Sequence, residues 1–382
     1  MDLSAASFSY PTHDGRIRAA IARHLLEGAV PDEGFILSTC LRVEVAVPGP
    51  ESRLREVLTG LFGDEAALAQ IRRGEDAVDH LYRIAAGLES PILGEQEILT
   101  QFRQTLIEAE QAGLVDGLFS RLLESAVAVG RQARELLPGS PHNSMAAVAA
   151  QAIGTAGRVA VLGSGIMATA VVDGLLLLPA PPQVTVVARS PEKVADRPGV
   201  EVLGFEHARK VLEEFPVVIS ATSANHRLVD DRSLSTAIAG RSAPLMLIDM
   251  AMPPDFRPAV GDAIAYVSID DLAQMADRRP RSDEADAMVA MAAADAYRQY
   301  RDHHDVAPLI GGLISSADAI VEGAVRRFAG RLTDPSDEAV LRQSAHTVAR
   351  TLLAGPVSYL KAGERAPEAI DVIANAFGVD DG

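Results

Sequence analysis

The segment from Arg158 to Val187 constrains the fold of this 382-residue chain more than any other stretch. It opens with a β-branched run, Arg158 to Leu162, and continues through the glycine turn GSGIMA at Gly163 to Ala168, a helix-like run and a second apolar run at Val184 to Val187. This order of strand, glycine turn, helix and strand is typical of the βαβ unit of a parallel sheet. The first glycine allows a tight turn, the second lets the backbone approach a pyrophosphate, and the helix N-terminus attracts anions. The segment therefore predicts a dinucleotide site on an open α/β sheet.

The end of the second strand indicates which dinucleotide would bind. A site for NAD usually offers an acidic side chain to the ribose there, whereas this chain has Arg189 and Ser190. Both favour the 2′-phosphate of NADPH, and the alternative is an exposed arginine without a ligand. Further apolar runs at Val217 to Ala221, Leu245 to Met250 and Ala263 to Val267 extend the predicted sheet, and the first two end near polar residues, where open α/β sheets bind ligands. We therefore expect cofactor contacts at Gly163, Ser164, Gly165, Ile166, Met167, Ala168, Arg189, Ser190, Thr222 and Asp249.

The only cysteine, Cys40, lies in the strand-like run Phe35 to Val47, FILSTCLRVEVAV. Alternation predicts a half-buried strand with Cys40, Arg42 and Glu44 on one side. The thiol would then face the same way as a guanidinium, which favours the nucleophilic thiolate. Cys40 is thus a candidate nucleophile. On residue type alone, the alternative is a small buried hydrophobic side chain.

A second polar cluster follows a predicted helix over Glu75 to Ala86. His80 falls on the polar side of that helix, which alone would make it a surface histidine. The next loop, Gly87 to Gln96, places Ser90 and Glu95 in a glycine-punctuated turn that can hold a small polar ligand. No HExxH or CxxC motif occurs, and the histidines lack zinc-like spacing, so we predict no metal.

Composition limits the partners and the location of the chain. The formal net charge of -17, from 35 Lys plus Arg against 52 Asp plus Glu, argues against broad binding to nucleic acid, and we expect no DNA partner. One cysteine excludes an intramolecular disulfide framework, and no signal peptide is recognised. The apolar runs are broken well short of the roughly 20 residues that span a bilayer. We expect a cytoplasmic protein without a membrane segment.

Breaker residues divide the chain into three predicted domains. An α/β unit with a helical tail covers residues 1–140 and ends in the cluster Pro138 to Pro141. The nucleotide unit covers 141–270. Residues 271–382 are predicted to be helical, with one long helix from Asp270 to about His304 and two more near Leu313 to Arg331 and Asp337 to Leu353.

Several motifs resemble those of the glutamyl-tRNA reductases over nearly the whole chain. The run Ser38 to Glu44, STCLRVE, resembles the family's STCNRxE nucleophile motif, and His80 to Gln101 resembles its HLfxVAxGLxSxxxGExxIxxQ segment. The further matches are Arg158 to Ala168 with the nucleotide turn, Ile248 to Pro253 with IDIAVPRD, Ser268 to Asp271 with VDDL, and His346 to Lys361 with the dimerisation signature.

The resemblance implies an architecture and a chemistry. It implies an N-terminal α/β catalytic domain, a Rossmann-type NADPH domain, a long spinal helix and an α-helical dimerisation domain. Cys40 would attack the ester carbonyl of glutamyl-tRNA, and NADPH would reduce the thioester to glutamate-1-semialdehyde, the first step of tetrapyrrole synthesis. Arg42 and Glu44 would hold the charges of the glutamate, with His80 near the thiol as a proton-transfer or orienting group. The remaining pocket residues would be Thr39, Ser90, Glu95 and Gln101.

The resemblance also implies a V-shaped homodimer, to which a semialdehyde aminomutase could dock. The length of the predicted long helix and the apolar residues of the terminal helices place the dimer interface after about residue 305. The chain departs from the family pattern at Tyr10, Leu41 and Pro254, where the family has histidine, asparagine and arginine. Two alternatives follow. One is a catalytically weakened paralogue with a regulatory or partner-binding role. The other is a small-molecule NADP dehydrogenase related to shikimate dehydrogenase, which would leave the STC and GLES segments unexplained.

Overall fold

The computed structural model describes most of the chain, in two compact units of residues 2–294 and 295–382. The described residues are 2–115, 117–137, 144–194, 196–222, 229, 231–239, 241, 243–256, 263–276, 282–329, 331–332, 334–361 and 369–378. The predicted breaker cluster at 138–141 lies outside them. The first unit contains two β-sheets, and the second is helical in its described part.

The first sheet is antiparallel and has four strands in the order β2-β3-β1-β4. Its strands are β1 Leu3–Ser9, β2 Phe35–Ser38, β3 Arg42–Pro48 and β4 Gln70–Arg73. The helices of this region are α1 Gly15–Leu26, α2 Glu51–Phe62, α3 Gly74–Ala86, α4 Gln96–Gln111 and α5 Gly117–Glu135, with a 3-10 helix at Gly63–Leu68. Its core packs Phe8, Val43 and Val45 against Leu54 and Phe62.

The predicted single strand from Phe35 to Val47 is wrong, because the run folds back on itself as the hairpin β2–β3. Ser38 pairs with Val43, and Thr39, Cys40 and Leu41 form the turn between them. The Thr39 backbone N–H donates to the Arg42 carbonyl at 2.8 Å, and the Thr39 hydroxyl oxygen accepts from the Leu41 N–H at 3.3 Å. A threonine side chain closes this turn, so the sequence lacks the Gly, Pro or Asn that usually indicates one.

The second sheet is parallel and has six strands in the order β10-β9-β8-β5-β6-β7. The strands are β5 Arg158–Leu162, β6 Gln183–Ala188, β7 Val200–Gly204, β8 Val217–Ser220, β9 Leu245–Asp249 and β10 Ile264–Ser268. The accompanying helices are α6 Met145–Ala152, α7 Ile166–Leu176, α8 Ala208–Glu214, α9 Asp231–Ala239 and α10 Ile269–Met275, with 3-10 helices at Pro191–Lys193 and Phe205–His207.

This strand order is that of a doubly wound dinucleotide fold, and β5 stands where the order reverses. Ligands of such sheets bind at the carboxyl ends of the strands beside that reversal. The predicted fold class is confirmed. Sequence analysis omitted β7, whose polar, half-buried pattern lacks the continuous apolar character of a central strand.

The predicted helix from Asp270 to His304 is wrong in its bounds. Ser268 and Asp271 form a capping box that begins α10, and the extended backbone of Ala276 ends it. The long helix, α11, is Asp283–Ala329, so it starts later and continues through Pro308 over the region predicted as a second helix. Two further helices, α12 Pro335–Lys361 and α13 Ala369–Phe377, follow it.

The unit of residues 295–382 has a small core and a large exposed apolar surface. Its core contains Val306, Leu309, Leu313, Leu353 and Leu360. Ile320 and Leu352 are 70% and 71% exposed. By length and composition alone α11 could span a bilayer, with a window of mean hydropathy 1.3 that is 22% buried. The expectation of no membrane segment thus stays a prediction.

Candidate active site

A cavity of about 770 Å³ lies between the Cys40 turn and the glycine turn after β5. Both turns belong to the unit of residues 2–294. Its lining comprises Ser38, Thr39, Cys40, Gln101, Gly163, Ser164, Gly165, Ile166, Met167, Val187, Ala188, Arg189, Ser190, Phe205, Ala221, Thr222, Met250 and Met252. One space therefore borders both the candidate nucleophile and most of the predicted cofactor contacts.

The two glycines of the turn differ in what they require. Gly163 has φ 123°, and a Cβ there would lie 2.5 Å from the Ala221 carbonyl oxygen, so only glycine fits. Gly165 has an ordinary φ of -78°, and a Cβ would extend into open space. The backbone does not require glycine at this N-cap of α7. The lack of a side chain at Gly165 is explained by a ligand that approaches the backbone. The residues present thus fit a dinucleotide.

The other predicted cofactor residues divide into two groups. Arg189 and Ser190 line the cavity at the end of β6, with Arg189 exposed. Thr222 also lines it and donates its hydroxyl to Asp255. Ala168 is buried behind the turn.

Asp249, in contrast, does not line the large cavity. Its carboxylate accepts the backbone N–H groups of Ala251 at 3.1 Å and Phe256 at 3.0 Å and the Tyr266 hydroxyl at 3.2 Å. Burial and, next, the nearby Asp255 raise the pKa of Asp249 to about 7. These contacts fix the loop after β9, which is a structural role.

All the predicted substrate residues except Glu44 line a smaller cavity of about 10 Å³ beside the Cys40 turn. Its lining includes Thr39, Cys40, Arg42, Ser90, Glu95 and Gln101. Thr39, Cys40 and Gln101 border both cavities, so the nucleophile lies where the two spaces adjoin.

The charge around Cys40 differs from the sequence-based expectation. The thiol is half-buried, and burial, followed by the Glu95 carboxylate, raises its pKa to about 12. The cation that lowers this pKa is Arg18 of α1. Arg42 points elsewhere, since it donates to the Glu89 carbonyl and lies 3.5 Å from the Glu44 carboxylate. The expectation that a guanidinium beside Cys40 holds it as a thiolate is wrong for this structure.

Glu44 and His80 form a buried pair, which excludes the surface alternative for His80. The His80 Nε2 and Glu44 Oε2 atoms are 2.9 Å apart, and Ser7 donates to the other Glu44 oxygen at 3.0 Å. The far side of His80 borders a separate cleft of about 260 Å³ that Arg72 and Asp79 also line. Glu44 is thus occupied within the protein, and it connects Arg42 to His80.

Glu95 is a buried residue in the lining of the small cavity. Burial and, next, Glu97 raise its pKa to about 7, against the opposing effects of Ser90, Arg42 and Arg134. Arg134 also donates to the Glu95 backbone carbonyl. Sequence analysis missed Arg18, Glu97 and Arg134. Only Arg18 had a signal in the sequence, because it shares the buried face of α1 with Ile21 and Ala22 at helical spacing.

Two departures from the family pattern have clear positions. The Leu41 side chain is buried in the core beneath the nucleotide sheet, and its carbonyl accepts the Tyr10 backbone N–H at 2.9 Å. Pro254 is half-buried in the loop after β9. Within the described residues, no group of three or more His, Cys, Asp or Glu could hold a metal ion.

Three family models match consecutive parts of the chain. Residues 7–136 match the N-terminal domain of glutamyl-tRNA(Glu) reductase, 147–275 match shikimate/quinate 5-dehydrogenase, and 284–379 match the glutamyl-tRNA(Glu) reductase dimerisation domain. A glutamyl-tRNA reductase of Roseiflexus sp. strain RS-1 is 30% identical over 92% of this chain and 88% of the relative. One from Thermus thermophilus is 34% identical over 79% of this chain and 82% of the relative.

The chain belongs to the glutamyl-tRNA reductase family. Among solved structures, the glutamyl-tRNA reductase from Methanopyrus kandleri is 25% identical, with 99% of both chains covered and a TM-score of 0.45. The prediction of an enzyme in this family is confirmed. Because the dehydrogenase model covers only the middle of the chain, a small-molecule dehydrogenase is not favoured. The match to a dimerisation domain supports a homodimer and gives the exposed apolar residues of α11 and α12 a partner surface.

Proposed function

We propose that this protein reduces glutamyl-tRNA to glutamate-1-semialdehyde with NADPH, through a thioester on Cys40. The observation that carries the proposal is the cavity of about 770 Å³, whose lining includes both the single cysteine and the glycine turn. Membership of the glutamyl-tRNA reductase family supports the reaction. We further propose a cytoplasmic homodimer that can hand its aldehyde to an aminomutase.

The chemistry at Cys40 begins with loss of the thiol proton. The sulfur then forms a bond to the ester carbonyl of the glutamyl group, and the terminal ribose hydroxyl of the tRNA leaves with a proton. Bound NADPH would supply a hydride to the thioester carbonyl. The carbon–sulfur bond then breaks, releases the aldehyde and returns the thiolate of Cys40.

The surrounding residues have distinct tasks in this proposal. Glycines 163 and 165 and the start of α7 would hold the pyrophosphate, and Arg189 with Ser190 the 2′-phosphate. Arg42, Ser90, Glu95 and Gln101 line the smaller cavity and would contact the glutamyl group beside Cys40. Glu44 and His80 would orient Arg42 from behind, because their own polar atoms are bonded to each other.

The decisive assay incubates the purified protein with glutamyl-tRNA and NADPH and measures glutamate-1-semialdehyde. A second reaction without NADPH, using radiolabelled glutamyl-tRNA, should trap label on the protein as a thioester that hydroxylamine releases. Cys40→Ser should abolish both signals with no loss of fold, because a serine hydroxyl scarcely ionises without a strong base. Semialdehyde formed from free glutamate without tRNA, or by Cys40→Ser at the wild-type rate, would contradict the proposal.

A further inference from the structure

Arg18 is a buried residue that has no role in the reaction proposed above. Its side chain is fully buried, and its guanidinium contacts two parts of the chain that are far apart in sequence. One NH group donates to the Leu41 carbonyl of the Cys40 turn at 3.4 Å, and the other pairs with the Asp270 carboxylate. Asp270 lies in the first turn of α10, directly after the nucleotide sheet. The arginine thus joins the catalytic turn to the end of that sheet.

A fully buried arginine is expensive to desolvate, and a protein retains one where its charge or its hydrogen bonds are needed. Asp270 compensates that cost in part, and the Tyr10 ring lies 6.0 Å from the guanidinium carbon. Three charges act on the Cys40 thiol: the Arg18 guanidinium of α1 and the carboxylates of Glu95 and Glu97, which line the small cavity together with Cys40. Of these three charges, only Arg18 favours the thiolate.

We propose that Arg18 is a positioning residue for Cys40, which fixes the turn through the Leu41 carbonyl and supplies the positive charge that favours the thiolate, while Asp270 limits that charge. The inference rests on the proposed function only in that Cys40 is the nucleophile. It assigns to Arg18 the electrostatic task that the sequence pattern gave to Arg42. It also makes the reactivity of the thiol depend on a residue at the end of the nucleotide sheet.

The test is the rate at which iodoacetamide alkylates Cys40 as a function of pH, followed by intact-protein mass spectrometry. Cys40 is the only cysteine, so one added group reports one site. Arg18→Gln removes the cation and should slow alkylation about threefold at pH 8, since a tenfold smaller thiolate population is partly offset by a nucleophilicity that rises about threefold. Asp270→Asn leaves the cation less neutralised and should accelerate alkylation by a similar factor.

The opposite signs separate an electrostatic role from a structural one. If the pair only supported the fold, both substitutions would loosen the turn and change the rate in the same direction, which would overturn the proposal. Arg18→Lys should keep the rate closer to wild type, because the charge remains. Arg16→Gln is the matched control, because that arginine lies two residues away and is almost fully exposed, so its removal should leave the rate unchanged.

Two outcomes complete the test. An Arg18→Gln protein that unfolds cooperatively on heating and alkylates like wild type contradicts the proposal. If that variant does not fold, Asp270→Asn decides alone, and unchanged or slower alkylation contradicts the proposal. The assay uses neither tRNA nor NADPH, so a failure of the proposed reductase reaction would leave these rates unaffected and is distinguishable.

Discussion

The two turns that line the large cavity are held in different ways. The glycine turn after β5 depends on backbone: one glycine has no room for a side chain, another exposes its bare face, and no side chain caps α7. The Cys40 turn depends on side chains, because Thr39 closes it and Arg18 holds it from α1. The first is local in sequence, whereas the second is assembled from distant segments.

This difference predicts how each turn responds to a substitution. A backbone site should fail by steric exclusion, with a large loss from one added methyl group. A site made of buried charges should respond in graded steps whose sign follows the charge removed. The substitutions below test that contrast.

The largest effect is expected at Gly163. Gly163→Ala places a methyl group against the Ala221 carbonyl at a φ that L-residues rarely adopt, so the free energy of unfolding should fall by about 2–5 kcal/mol. Gly165→Ala should change it by less than about 1 kcal/mol yet weaken NADPH binding, because the methyl group enters the cavity. Urea unfolding and a fluorescence titration with NADPH measure the two quantities. Equal destabilisation by both would remove the distinction between these glycines.

An intermediate effect is expected at Arg189. Arg189→Ala should weaken NADPH binding about tenfold to hundredfold, the range of one charge-assisted hydrogen bond, and leave NADH binding nearly unchanged. The titration with each cofactor measures this. Arg158→Ala is the control, since Arg158 stands at the opposite end of β5 and packs over the Phe215 ring. An equal loss of NADPH and NADH affinity would mean that Arg189 does not read the 2′-phosphate.

The smallest effect concerns Glu95. Its pKa is raised to about 7 in the folded protein, so the folded state holds this proton more tightly than the unfolded chain does. The stability that Glu95 contributes is therefore present at acidic pH and is lost as pH rises from about 4.5 to about 7. Glu95→Gln should remove that loss and raise the free energy of unfolding at pH 8 relative to wild type by about 1–2 kcal/mol.

The measurement is urea unfolding of both proteins at pH 4, 6 and 8, with Glu108→Gln on the exposed face of α4 as the control. The difference between Glu95→Gln and wild type should grow over that range, whereas the control should show none. A difference that stays constant with pH would mean that Glu95 has an ordinary pKa.

The sequence predicted the parts of this molecule that short-range rules determine. Five of the six strands of the parallel sheet were predicted from apolar, β-branched runs, and the nucleotide turn from its glycines, because both depend on neighbours in the chain. The hairpin at Cys40 could not be predicted from the sequence, since a threonine hydroxyl takes the place of the usual turn residues. The ion pair between Arg18 and Asp270 could not be predicted either. Its partners are separated by 252 residues, and the pair exists only after both domains fold.

Burial also gives some of the predicted site residues a different environment from the one that the sequence indicated. Alternation predicted a half-buried strand with Arg42 and Glu44 on its polar side, yet both are almost completely buried. Helix α3 covers that face of the sheet and brings His80 to Glu44. Which face a second layer covers depends on tertiary packing, and a pattern within one strand cannot report it.

The raised pKa of the Cys40 thiol affects how easily this side chain is chemically damaged. Oxidation by peroxide, like alkylation by stray electrophiles, proceeds through the thiolate, so a pKa raised to about 12 slows both reactions relative to an ordinary cysteine. Its reactivity would rise when an arriving substrate changes the charge or the solvent around it. The chain has one cysteine, so it has no second thiol that could reduce an oxidised Cys40 by forming a disulfide. A low thiolate population protects Cys40 between turnovers.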